Sequence, residues 1–198
     1  NNLSGVVLIA KNGKPIYRET FGFANLPDSI KNKPDTKFNL ASINKMFTAM
    51  AIMQLVQSGK ISLQDKVGKY LLDYPNKIVA DSVTIHQLLT HTSGMSSFWE
   101  EYDKLAKEKF KTVSDYLPLF VNKKLAFSPG SDFLYSNSGY MVLGLIIEKV
   151  SGQNYFDYVK EYIYKPAKMI NTDAYELDNA IPNLATGYTM SLEEPGQW

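Results

Sequence analysis

The sequence predicts an α+β fold: an antiparallel sheet with flanking helices, joined to a mostly helical region. Three observations point there. Two strand-like runs lie at the start, residues 4 to 10 and 15 to 23, separated by Lys11-Asn12-Gly13-Lys14. From Ser42 onward the apolar pattern becomes helical and stays so for most of the chain. With 198 residues, 44% of them hydrophobic, there is enough material for a sizeable core.

Each element follows from its residues. The Asn12-Gly13 pair suits a tight hairpin turn with positive φ. A polar loop with prolines is expected from Asn25 to Lys37. A helix is expected over Ser42–Ser58, stopped by Gly59, and a short one from Thr84, a natural N-cap, to about Thr90. The charge run within Phe98–Lys111 reads as a solvated helix face. Two further helices, about Ser138–Val150 and Tyr155–Tyr164, flank Ser151-Gly152, and Pro166 ends the second. The final residues, Glu193 to Trp198, read as a surface turn. The expected organisation is therefore 1–40 as the start of a sheet region, 41–185 as a helical region, and 186–198 as the start of a return to the sheet.

Composition narrows the function. Basic and acidic side chains number 21 and 20, a net charge of +1, which removes the electrostatic case for nucleic acid as a partner. Arg18 is the only arginine, so a surface of guanidinium forks for phosphates or bases is absent. The absence of cysteine excludes disulfides, zinc-thiolate sites and thiol nucleophiles. Runs such as Met46–Val56 and Tyr140–Ile147 are too short to span a bilayer, so no transmembrane segment is expected.

One helix is anomalous. From Ile43 to Val56 nearly every residue is apolar, the pattern of a helix buried on all sides, yet Lys45 lies in its first turn. A lysine buried among hydrocarbon needs a partner or a depressed pKa. Ser42 precedes it by three residues, on the same face, which makes Lys45 a candidate base for that hydroxyl. The start of a helix also favours negative charge on oxygen. Ser-x-x-Lys arises about once by chance in a chain of this size. The bland alternative is an N-capping serine and a lysine that snorkels to water.

A Ser/Lys pair needs a group that passes protons to the leaving atom, and Tyr-x-Asn offers a phenol and an amide. In extended backbone Tyr135 and Asn137 point the same way. Tyr74-Pro75-Asn76 has the same spacing, and spacing alone does not choose between them. His86 and His91 stand five apart with no carboxylate companion; His91 reads as a structural hydrogen-bonding residue of its loop.

The order of motifs does choose. Phe38-Asn39-Leu40-Ala41-Ser42-Ile43-Asn44-Lys45-Met46-Phe47-Thr48-Ala49 resembles the nucleophile helix of the serine β-lactamase and penicillin-binding protein superfamily. Leu88-Leu89-Thr90-His91-Thr92-Ser93-Gly94-Met95 is similar to the loop that follows in its class C-like branch. Phe127-Ser128-Pro129-Gly130 and Phe133-Leu134-Tyr135-Ser136-Asn137-Ser138-Gly139-Tyr140 resemble that branch's second motif. The likeness continues through Leu143-Gly144 and Ile147–Gly152 to Thr186-Gly187-Tyr188.

The resemblance implies the β-lactamase/transpeptidase-like fold and an acyl-enzyme on Ser42, with Lys45 and Tyr135 sharing the base role. Asn137 would position the substrate or Lys45. It implies no metal and no cofactor. The expected substrates are a β-lactam, a D-alanyl peptide of peptidoglycan type or a small ester, and the expected location is extracytoplasmic. The family's third motif, Lys-Thr-Gly or His-x-Gly on a late strand, has no counterpart; Ala185-Thr186-Gly187 lacks the lysine or histidine. The sheet is therefore expected to be incomplete in this chain, with a C-terminal remainder completing it. The alternative is a sensor-type or non-catalytic penicillin-binding module that is at most acylated without turnover.

Overall fold

A computed structural model describes residues 3–176 and 178–188. It mixes a small antiparallel sheet with helices, the α+β class expected. Compactness divides the chain into two units, 1–41 with 180–198, and 42–179.

The first unit is built on a hairpin of β1 (Gly5–Lys11) and β2 (Lys14–Phe21), antiparallel with Gly5 opposite Phe21 and Lys11 opposite Lys14. Asn12 and Gly13 both take positive φ, 52° and 73°, as the expected two-residue turn requires. The segment 25–37, expected as a polar loop with prolines, holds part of a second, smaller hairpin, β3 (Phe23–Asn25) with β4 (Ile30–Lys31). Strands of three and two residues leave no periodicity to detect. Asn32 organises this corner: its buried amide donates to the Phe21 carbonyl at 2.8 Å and to Ser4 Oγ at 3.0 Å. Further along the chain, Ala185 and Thr186 donate backbone hydrogen bonds to Lys37 and Ala24. Ala185 and Thr186 are thus engaged in backbone hydrogen bonds. Glu193–Trp198, expected as a surface turn, lies outside the described residues.

The second unit is helical. A 3₁₀ turn, Ala41–Asn44, leads into α1 (Lys45–Gln57), which ends at Ser58 with Gly59 at φ 72°. Two short helices unmarked in the sequence reading follow, α2 (Val67–Tyr70) and α3 (Lys77–Ser82). Next comes α4 (Ile85–Leu89), where Thr84 accepts from the Gln87 N–H and the Gln87 side chain answers to Thr84 N–H, a full capping box.

The charged stretch is not one helix. It contains α5 (Trp99–Tyr102) and a 3₁₀ turn at Lys107–Lys109, wrapped around aromatic rings. Phe98 and Tyr102 are buried there against Tyr116, with Phe110 and Phe120 beside them. Burial of those rings outweighs the continuity that the charges suggest.

The centre of the unit is α6 (Asn137–Ser151), capped by Ser136 and closed by Gly152 in the left-handed region at φ 71°. It packs against α1, α2, α4 and a 3₁₀ stretch at Val113–Leu119. Gly144 permits that last approach, because a Cβ there would lie 3.0 Å from Val113. α7 (Tyr155–Val159) continues into a wider π-type turn, Lys160–Tyr164, and both pack on α1.

The expectation that α1 is buried on all sides is corrected. Phe47, Thr48, Ala51, Ile52 and Leu55 are buried against α6 and α7, but Ile43, Met46, Met50 and Met53 form a stripe 45–60% exposed. An all-apolar pattern says that both faces can be buried; it does not say that the same unit covers both.

Candidate active site

Ser42 lies in the 3₁₀ turn, not at an α-helical N-cap. In 3₁₀ geometry side chains three residues apart eclipse one another, which brings Lys45 directly over Ser42. Lys45 Nζ donates to Ser42 Oγ at 3.2 Å. The preceding residue, Ala41, takes a positive φ of 43°, and its N–H donates to Asn39 Oδ1 at 2.8 Å.

The other half of the site comes from the start of α6. Ser136 is extended, with φ −128° and ψ 115°, so Tyr135 and Asn137 on either side of it project together. Tyr135 Oη donates to Ser42 Oγ at 2.7 Å. Asn137 Oδ1 accepts from Lys45 Nζ at 2.7 Å. All four residues singled out in the sequence therefore meet: Ser42 Oγ accepts from both Lys45 and Tyr135, and Asn137 holds the lysine from behind.

Lys45 is only half-buried, and its partners are neutral. Beyond the hydroxyl and the amide, its ammonium stands 4.8 Å from the Tyr135 ring centroid and 5.6 Å from that of Tyr140. Of the two conditions the sequence offers for a lysine here, the structure supplies the partners. Burial alone would push the Tyr135 phenol up, but the Lys45 ammonium and the Ser42 hydroxyl outweigh it and hold the phenol below its ordinary value.

The competing tyrosine has a different place. Tyr74 is buried, its hydroxyl has no hydrogen-bond partner among the described residues, and burial pushes that phenol well up. Asn76 is spent as the N-cap of α3, accepting from the Val79 N–H at 3.2 Å. His86 is exposed on α4. His91, read as a loop residue, does make loop hydrogen bonds, but its ring also lies against Tyr135 and Tyr140, with centroids 4.5 and 5.1 Å away.

Two contributors escaped the sequence reading: that ring contact and Tyr140. Tyr140 follows Asn137 by three residues on the same face of α6, a spacing that could have flagged it. Its hydroxyl donates to the Leu89 carbonyl at 3.0 Å, fixing the ring beside Lys45. Among the described residues no cluster of three or more histidine, aspartate or glutamate side chains could hold a metal ion. No described helix is long and apolar enough to cross a membrane.

Comparison with known proteins shows the family. The chain is 36% identical to penicillin-binding protein 4* of Bacillus subtilis (strain 168), over 97% of its own length and 43% of that protein's. Its fold superposes on the crystal structure of a penicillin-binding protein from Bacillus halodurans with a TM-score of 0.85 at 36% identity, covering 96% of this chain and 58% of that one. It is also similar to EstCE1, described as a hydrolase with promiscuous acyltransferase activity, with a TM-score of 0.81 at 29% identity over 96% of this chain and 52% of the other. The chain thus spans about half the length of these relatives. The family model described as Beta-lactamase matches residues 1–197. With that match over nearly its whole length, the chain belongs to the beta-lactamase family.

Proposed function

We propose that this chain carries the nucleophile and the acid–base groups of a serine acyl-transfer enzyme. The observation that carries the reading is the double hydrogen bond onto Ser42 Oγ, from Lys45 at 3.2 Å and Tyr135 at 2.7 Å. In the attacking state one of these partners is deprotonated, a phenolate at Tyr135 or a neutral amine at Lys45, and takes the Ser42 proton as Oγ bonds to the substrate carbonyl carbon. The lowered phenol of Tyr135 favours that state. The carbonyl oxygen becomes an oxyanion beside the positive end of α1's backbone dipole. On collapse the bond to the leaving nitrogen or oxygen breaks, and the proton returns to it through Tyr135 and Lys45. Water then cleaves the ester on Ser42 by the same relay. Asn137 keeps the lysine over the hydroxyl and stands ready to meet a substrate amide.

The substrate class is a β-lactam, a D-alanyl peptide or a small ester, processed outside the cytoplasm. The residues before Ser42, together with 186–188, form the start of a sheet that continues in the longer protein. The run Val6-Val7-Leu8-Ile9-Ala10 supports this, because an uninterrupted apolar strand is the pattern of one covered on both faces.

The test is reaction of the full-length protein with a fluorescent penicillin and with an activated ester. Covalent labelling and turnover, both abolished by Ser42→Ala, are expected. Stable labelling without turnover identifies an acylated sensor instead. No reaction with either probe overturns the assignment.

A further inference from the structure

We propose that His91 is a positioning residue for Tyr135, holding the phenol against Ser42 only while its imidazole is neutral. The inference rests on the role of Tyr135 proposed above, but its geometry stands by itself. His91 grips the backbone on both sides of that tyrosine. Its carbonyl accepts from the Leu134 N–H at 2.9 Å, and its Nδ1 accepts from the Ser136 N–H at 3.1 Å. Between those two bonds its ring lies tilted over Tyr135 itself, 4.5 Å between centroids at 35°. Residues 134, 135 and 136 are thus each held by one histidine.

The backbone of His91 is strained to do this. It takes φ 60°, a left-handed conformation that disfavours a residue with a Cβ. A residue needed only to fill a turn would be relieved by glycine. Here the strain turns carbonyl and ring toward the same three residues.

The protonation requirement follows from the hydrogen bond. An Nδ1 that accepts from an N–H carries its own proton on Nε2. Adding the second proton turns the acceptor into a donor facing a donor, so the Ser136 bond must break. The groups facing the ring are Tyr135, just before α6, Tyr140 within it, Phe133 at the ring's edge (6.0 Å), and the Lys45 ammonium from α1, which opposes a second positive charge. On its own loop, Thr90 and Thr92 bond to each other. Burial, and then Lys45, hold the imidazole below the ordinary histidine value, so the clamp is closed at neutral pH.

The clamp is tested by following the His91 ring and the Ser136 amide together. In the full-length protein labelled uniformly with 15N, and with His91→Asn to assign its ring signal, His91 is expected to titrate below the ordinary histidine value. The Ser136 amide resonance is expected to move with the same midpoint. A Ser136 amide that ignores the His91 titration overturns the proposal, and this readout needs no enzymatic activity. If the protein reacts with neither penicillin nor ester, the function reading fails while this measurement still decides the clamp.

In the reactive protein, the rate of Ser42 acylation is expected to fall on the acid side with the His91 midpoint. His91→Asn, which tolerates the left-handed backbone and offers an acceptor that does not titrate, is expected to retain acylation at pH 7 within about tenfold and to lose that acid limb. His91→Ala is expected to lower kcat at least about tenfold with little change in KM. A residue that merely stabilised its loop would lower the melting temperature and leave the pH profile in place. An unchanged acid limb in His91→Asn overturns the proposal.

Discussion

The two units of this chain spend their apolar residues in opposite ways. In the helical unit Ile52, Val67, Ile85, Leu143, Ile146 and Ile147 are essentially solvent-free and surround the elements that hold Ser42, Lys45, Tyr135 and Asn137. In the hairpin unit the described buried residues are Ala24, Asn32 and Thr36, two of them polar, while Leu8, Ile9, Ile16 and Tyr17 stand in solvent. The hairpin unit is thus held by backbone ladders and one buried amide, the helical unit by a hydrocarbon core. Precise placement of reacting atoms requires the second kind of support, because packed side chains restrict rotamers and backbone together.

The largest test of that contrast is Leu143→Ala, which truncates a fully buried side chain of α6, the helix that begins at Asn137. A loss of about 2–5 kcal/mol in urea unfolding is expected, as for other core deletions. A loss near zero would mean that the helical unit is not the source of stability. Next comes Thr84→Ala, which opens the capping box of α4 and is expected to cost about 1 kcal/mol by the same measurement. Leu8→Ala is expected to cost less than about 0.5 kcal/mol in the 198-residue chain, since that side chain is 55% exposed. In the full-length protein the same substitution sharpens the comparison. A cost approaching that of Leu143→Ala there would show that further strands cover the hairpin.

The smallest expected effect is on acid. Lys69, then Tyr70 and the Ser62 N–H, hold the Asp65 carboxyl down at about 2. A carboxylate lowered in the fold contributes stability that is complete above its unfolded value, near 4, and is lost as pH falls through about 2. Melting temperatures of the wild type and Asp65→Asn should therefore converge between pH 4 and pH 2. Parallel curves down to pH 2 would show that the carboxylate adds nothing.

The same contrast explains what was legible in the sequence. Features made by neighbours were: the Asn12-Gly13 turn, the Thr84 cap, the helix bounded by Ser136 and Gly152, and the pairing of Ser42 with Lys45 one turn apart. The meeting of Ser42 with Tyr135 crosses 93 positions, and only the order of family motifs anticipated it. What remained hidden was tertiary. β3 and β4 are too short to carry a period, and they are secured by Asn32, whose partners lie at Ser4 and Phe21. The short helices α2 and α3 have too few turns to show a face. The ring of His91 meets Tyr135 and Tyr140 from 44 and 49 residues away, a relation that no local pattern encodes.

The methionine stripe on α1 gives the molecule a chemical weak point next to the proposed nucleophile. Met46, Met50 and Met53 present thioethers to solvent, and Met46 directly follows Lys45. Oxidation to the sulfoxide would place a strongly polar S–O dipole on an otherwise hydrocarbon surface, one residue from the ammonium. Peroxide sensitivity of these three sulfurs, read by mass spectrometry, therefore doubles as a footprint. Wherever another surface comes to rest on the helix that bears Ser42 and Lys45, those sulfurs fall silent.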